Sequence, residues 1–117
     1  MSRHHSERAG RQAESVAALL LRLKGFSILA RRFACPVGEI DLVARRGGLL
    51  VFVEVKRRAA RSEALEALGR QQQERIARAA LLFVQRRPQL AGLAQRFDAI
   101  AVSPWRWPVH LRDVWRS

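Results

Sequence analysis

Apolar positions along the chain repeat with two different periods. Residues 11–24 follow helical spacing, with Ala13, Val16, Ala17, Leu20 and Leu21 on one face and Gly25 placed to stop the helix. Residues 26–33 alternate as a short strand, with Phe26, Ile28 and Ala30 on one side. Pro36 and Gly38 mark a turn, residues 37–45 read as a second strand, and Gly47-Gly48 is a hairpin signal. Residues 49–57 form the strongest strand pattern in the chain. Residues 58–69 are ambiguous, with Ser62 able to cap a short helix ending at Leu68. A second helix is predicted over 71–86, its stripe made by Ile76, Ala79, Ala80, Phe83 and Val84, and Pro88 ends it. Residues 96–102 read as strand, Pro104 and Pro108 bracket two tryptophans, and 109–115 suit a last edge strand. The polar residues 1–9 are expected to be a flexible N-terminus, followed by one domain over 10–117. The order α-β-β-β-α-β predicts an α/β fold, a mixed sheet flanked by helices.

The strand at 49–57 carries an anomaly. Leu49, Val51, Val53 and Val55 make one apolar face, whereas the other reads Leu50, Phe52, Glu54, Lys56. Charges ending a core strand are costly unless paired or metal-bound. Counting outward from a Gly47-Gly48 turn sets Asp41 opposite Glu54 and Glu39 opposite Lys56. Two opposed carboxylates destabilise a sheet, and a divalent cation between them reverses that sign. A few hard oxygen ligands that leave room for water suit Mg²⁺. The pattern alone leaves a second reading open, a surface ladder pairing Glu39 with Lys56.

Charge narrows the choice of partner. The chain carries 22 Lys plus Arg against 10 Asp plus Glu, a net charge of +12. Only Lys24 and Lys56 are lysine, and guanidinium forks suit phosphate oxygens. Nucleic acid is therefore the expected partner, ahead of any membrane surface. Apolar runs fall short of the ~20 residues of a membrane span, and no signal-peptide core is visible, so a cytoplasmic protein is expected. Cys35 is the single cysteine, which excludes an intrachain disulfide and a cysteine zinc cluster and suggests a small buried hydrophobe.

The segments Gly38-Glu39-Ile40-Asp41-Leu42-Val43 and Phe52-Val53-Glu54-Val55-Lys56-Arg57 resemble the signature of the YraN-like bacterial family. That family has a restriction-endonuclease-like fold, belongs to the PD-(D/E)xK nuclease superfamily and is similar to archaeal Holliday-junction resolvases. The resemblance spans residues 11–102. It implies metal-binding Asp41 and Glu54, catalytic Lys56, a supporting Glu14 on the first helix, and Mg²⁺ or Mn²⁺ as cofactor. Ile40 stands where the superfamily has proline. Gln72 aligns with a lysine common in the family, at a place where the superfamily often has glutamine. From the residues alone, Gln72 and Gln73 either extend the buried stripe of the second helix, four and three residues before Ile76, or are polar helix-start residues; Glu14 either lies beside Ala17, Ala18 and Leu21 or is an exposed partner of Arg11.

Arg57, Arg58, Arg61, Arg70, Arg75 and Arg78 read either as a phosphate track or as a solvated basic face. Trp105, Trp107 and Trp115 are open between stacking on unpaired bases, a dimer interface and core packing. Asp98 and Asp113 read as structural. The expected activity is metal-dependent hydrolysis of phosphodiester bonds in nucleic acid, DNA ahead of RNA, including branched DNA. Likeness to junction resolvases points to a homodimer, since two symmetric incisions need two sites. The rival expectations are a non-catalytic nucleic-acid-binding module and an interaction protein of a repair or ribosomal complex.

Overall fold

Helix α1 (Arg3–Leu23) leads into a β-meander of β1 (Ser27–Cys35), β2 (Gly38–Arg46) and β3 (Leu49–Lys56). Helix α2 (Arg70–Gln85), a short 3₁₀ turn (Pro88–Leu90), β4 (Ala94–Ala101) and β5 (Val109–Trp115) follow. The structure, a computed structural model, describes residues 3–57 and 69–115, with side chains from Gly10 onward. Arg58, Arg61 and the ambiguous stretch around Ser62 lie outside the described residues. No described helix is long and apolar enough to cross a membrane.

The sheet runs β1-β2-β3-β4-β5, antiparallel except for the parallel pair β3 and β4. It is the mixed sheet that the α-β-β-β-α-β order predicts, extended by the edge strand β5. β3 sits at its centre because both of its faces are apolar. Leu50 and Phe52 pack with Ile76, Ala80 and Phe83 of α2, whereas Val51 and Val53 pack with Ala17, Ala18 and Leu21 of α1. Each helix thus covers one face, and the central strand is buried on both, as a parallel crossover requires.

Local signals set the boundaries. Helix α1 ends in a Schellman motif: Phe26 N–H donates to Leu21 C=O, Gly25 N–H donates to Arg22 C=O, and Gly25 takes φ 90°. The helix begins at Arg3, well before its apolar periodicity. Its buried face is also rotated from the predicted stripe. Ala13, Glu14, Ala17, Ala18 and Leu21 are buried, while Val16 is exposed. On α2 the five predicted stripe residues are all buried.

β1 departs from simple alternation. A bulge between Ile28 and Ala30 sends Ile28 toward the α1 layer and Ala30 toward the α2 layer. The expectation that Phe26, Ile28 and Ala30 share one side is corrected by that extra residue. Cys35 is only half-buried, packs against the α2 layer, and donates its thiol to Gly38 C=O at 3.3 Å. Trp115 stacks on Phe97 with centroids 4.0 Å apart, which makes it the tryptophan used in packing.

Candidate active site

The β2–β3 hairpin pairs Leu42 with Val53 through to Arg46 with Leu49, the register expected from Gly47-Gly48. The ladder then opens. Asp41 and Glu54 come next in that register but form no backbone pair. Instead, Asp41 Oδ2 accepts the Val55 N–H at 2.8 Å. The neighbouring strand is irregular at the same level. Arg32 adopts φ 55° between Arg31 and Phe33, whose partners Leu42 and Ile40 flank Asp41. On β2, Ile40 and Val43 join the α2-side core and Leu42 the α1-side core, so alternation breaks at Asp41. At this break the Asp41 carboxylate meets Glu54, the residue that the hairpin count sets opposite it.

Glu54 is held from three directions. Its Oε1 accepts from Gln72 Nε2 at 3.2 Å, and Lys56 Nζ lies 3.5 Å from the same oxygen. Burial, then the adjacent Asp41 charge and a hydrogen bond between the two carboxyls, push the Glu54 carboxyl up to about 8, against the pull of Lys56. The metal-free pair therefore holds a proton at neutral pH. Glu14 is buried on α1 and accepts from Arg32 Nε at 2.7 Å. Glu14, Asp41, Glu54 and Lys56 line a cleft of about 290 Å³, with Arg57 at its border.

A larger groove of about 630 Å³ adjoins it through Gln72, between the β1–β2 turn and the start of α2. It carries Glu39, Gln71 and Arg75 but no paired carboxylates; the acidic pair lines the smaller cleft. A Cβ added at Gly38 would lie 2.6 Å from the Arg75 carbonyl oxygen, so only glycine lets β2 approach α2 this closely.

Asp41, Glu54, Lys56, Gln72 and Glu14 thus converge. Glu39 does not join them. It is exposed and pairs in the sheet with Ala34, whereas Lys56 turns to Glu54, which corrects the predicted Glu39–Lys56 ladder. Glu14 pairs with Arg32. Of the described arginines in the predicted track, Arg57 borders the cleft and Arg75 the groove; Arg70 and Arg78 are exposed on α2 and line neither.

Sequence reasoning misses Arg32, because its role depends on a local positive φ that no pattern announces. It also misses the surroundings of Asp98, which is 1% exposed. Arg96 grips Asp98 with two 2.8 Å bonds, His110 Nε2 lies at 2.7 Å, and Asp113 N–H donates at 3.0 Å. Lys24 Nζ contacts the other ring nitrogen of His110 at 2.8 Å. The two-residue spacing of Arg96 and Asp98 on one strand is the one clue that the chain offers.

The donor set can be tested against a divalent cation. Glu14 is occupied by Arg32, which leaves Asp41 and Glu54 as adjoining carboxylates on an open cleft. Two hard oxygen donors with space for water fit Mg²⁺ or Mn²⁺.

Fold and site together define an α/β domain with an acidic pair, a lysine and a glutamine gathered where its central hairpin opens. A family model described as "Uncharacterised protein family UPF0102" matches residues 13–102. The UPF0102 protein amb4503 of Paramagnetospirillum magneticum is 51% identical, the alignment covering 98% of this chain and 94% of that protein. UPF0102 proteins of Chelativorans sp. and Mesorhizobium japonicum are each 50% identical, covering 100% and 97% of this chain and 94% and 90% of theirs. The chain belongs to the UPF0102 family.

Proposed function

We propose that this protein is a Mg²⁺- or Mn²⁺-dependent nuclease that hydrolyses phosphodiester bonds in nucleic acid, with DNA as the preferred substrate. The observation that supports it is the level at which the β2–β3 ladder opens, where Asp41, Glu54 and Lys56 line one cleft and Gln72 reaches Glu54 from the adjoining groove. A structural carboxylate pair gains nothing from this arrangement, whereas a cation site needs it.

Asp41 and Glu54 would hold the cation, which supplies a Lewis acid for a phosphate oxygen and lowers the pKa of a nearby water. The Val55 N–H fixes one Asp41 oxygen and leaves the other for this role. Gln72 orients Glu54 through its amide. Lys56, held within 3.5 Å of Glu54, places a positive charge where negative charge accumulates on the scissile phosphate. Arg57 at the cleft edge and Arg75 on the adjoining groove extend the cationic surface toward the flanking phosphates.

The test is a cleavage screen of purified protein across linear, flapped and four-way DNA with Mg²⁺ and with Mn²⁺. Metal-dependent cutting that disappears in Asp41→Asn supports the proposal. Salt-sensitive binding without cutting under every condition refutes it.

A further inference from the structure

The β4–β5 connection contains Trp105 and Trp107, 101% and 83% exposed, with Arg106 between them. Two indoles standing in solvent are rare on a soluble surface, since tryptophan side chains average high burial. Trp105 also adopts φ 64°, a conformation costly for a bulky residue. Glycine would serve the backbone better there, so the turn's conformation does not account for the ring.

The location matters as much as the exposure. β4 runs parallel to β3, Lys56 is paired with Ala101, and Val102 N–H donates to Lys56 C=O at 2.7 Å. Trp105 follows three residues later, a stretch that spans at most ~11 Å. The aromatic tip therefore projects from the end of the sheet that bears Lys56 and the acidic pair.

We propose that Trp105-Arg106-Trp107 is a stacking platform for unpaired nucleobases, so that the cleft's substrate class is nucleic acid with single-stranded nucleotides beside the scissile phosphate; the second half rests on the nuclease reading. Flat π-faces receive bases of any identity, and the intervening guanidinium answers the phosphate that joins two bases. The +12 net charge supplies the attraction that an anionic strand needs and that a second copy of this basic chain would resist. A blunt duplex has its bases stacked away and offers the rings little.

The experiment titrates the full chain with a short end-labelled oligothymidylate and with a blunt duplex of equal length, reading affinity from the anisotropy of the labelled DNA, ring contact from tryptophan fluorescence and, in parallel, Mg²⁺-dependent cleavage of single-stranded, flapped and blunt DNA. Trp105→Gly and Trp107→Ala are compared with wild type. Trp115 remains in every variant and reports the fold through its stack on Phe97. Saturable quenching by the oligothymidylate is expected, with affinity falling about tenfold for each ring removed. Duplex affinity should stay within about twofold, and preference for flapped over blunt DNA should be lost in the double variant. Trp105→Gly also relaxes the strained turn, so its melting temperature should not fall. Wild-type cleavage without quenching, or equal oligothymidylate affinity in the double variant, overturns this inference and leaves the nuclease proposal standing. Quenching without cleavage supports the platform and removes the nuclease proposal. Concentration-dependent self-association abolished by the double variant, or binding to anionic vesicles in place of the oligothymidylate, overturns the platform.

Discussion

Glu54 and Asp98 are carboxylates drawn into the same sheet, and burial acts on both in the same direction. Their surroundings then separate them. Burial raises Asp98, but the bonds from His110, Arg96 and the Asp113 backbone outweigh it and hold the carboxyl at about 2. Glu54 meets a second carboxylate, one amide and a lysine at 3.5 Å, and it rises to about 8. Asp98 has the donors that a buried carboxylate needs, and its role is cohesion between β4 and β5. Glu54 remains short of positive charge, as a group does when its partner arrives from outside. Degree of burial alone does not separate these two carboxylates; the supply of donors around each does.

The largest expected effect lies on the satisfied side. Asp98→Ala strands the Arg96 guanidinium and leaves His110 Nε2 without its carboxylate, and should cost about 3 kcal/mol in urea unfolding at neutral pH. A loss below about 1 kcal/mol would mean that the network contributes little and that the contrast with Glu54 is overstated.

On the unsatisfied side the large effect is on activity. Asp41→Asn and Lys56→Ala should each reduce cleavage about a hundredfold or more while nucleic-acid affinity is retained. Wild-type cutting by Asp41→Asn, in a preparation freed of other nucleases, would be incompatible with the proposed chemistry.

Acid and alkali should act on the two carboxylates in opposite senses. The folded state depresses Asp98, so its contribution of about 2 kcal/mol is present above pH ~4 and lost as pH falls through about 2. The folded state raises Glu54, so its contribution is present below pH ~4.5 and lost as pH rises through about 8. Metal-free wild type should therefore weaken between pH 5 and 8, by at most ~1.4 kcal/mol per unit, and Asp41→Asn less so. A flat profile in EDTA would show that the acidic pair is not coupled.

The smallest effect is a stabilisation. In EDTA at neutral pH, Asp41→Asn should be about 1 kcal/mol more stable than wild type, because its amide oxygen can still accept the Val55 N–H while one charge is gone. Millimolar Mg²⁺ should raise the wild-type melting temperature and barely move the variant. Equal responses would mean that Asp41 and Glu54 do not share a cation.

Much of this architecture is legible in the sequence. A Gly-Gly turn fixes a hairpin register by counting, and every observed β2–β3 pair obeys that count. The apolar stripe of α2 and the two-faced β3 follow equally directly. The failures cluster where the chain stops being periodic. Nothing in residues 27–35 marks the extra residue in β1 or the positive φ at Arg32, and these reshape the site. Counting sets Glu39 opposite Lys56 because it assumes that the ladder continues; the ladder ends at Leu42 once Asp41 takes a backbone donor for itself. Glu14 shares a flank with Ala17, Ala18 and Leu21, so its burial is legible in the sequence, but its partner is not: Arg32, in place of Arg11, lets it sit inside. The Asp98 network joins β4 and β5 to Lys24 beyond the end of α1, and contacts across such separations leave no mark in local pattern.

Gly38 shows how little separates an assembled site from a dispersed one. A single methyl group at this position would press on the main chain of α2 at Arg75, and main chain cannot swing aside as a side chain can. The helix would have to retreat, taking Gln72 one turn away with it and drawing its amide off Glu54. Position 38 bears no reactive group and touches no phosphate, yet it gauges the gap between strand and helix across which the amide must reach. If the proposed activity holds, a substitution here would lower it with Asp41, Glu54, Lys56 and Gln72 all still present, and such a variant would report on spacing alone.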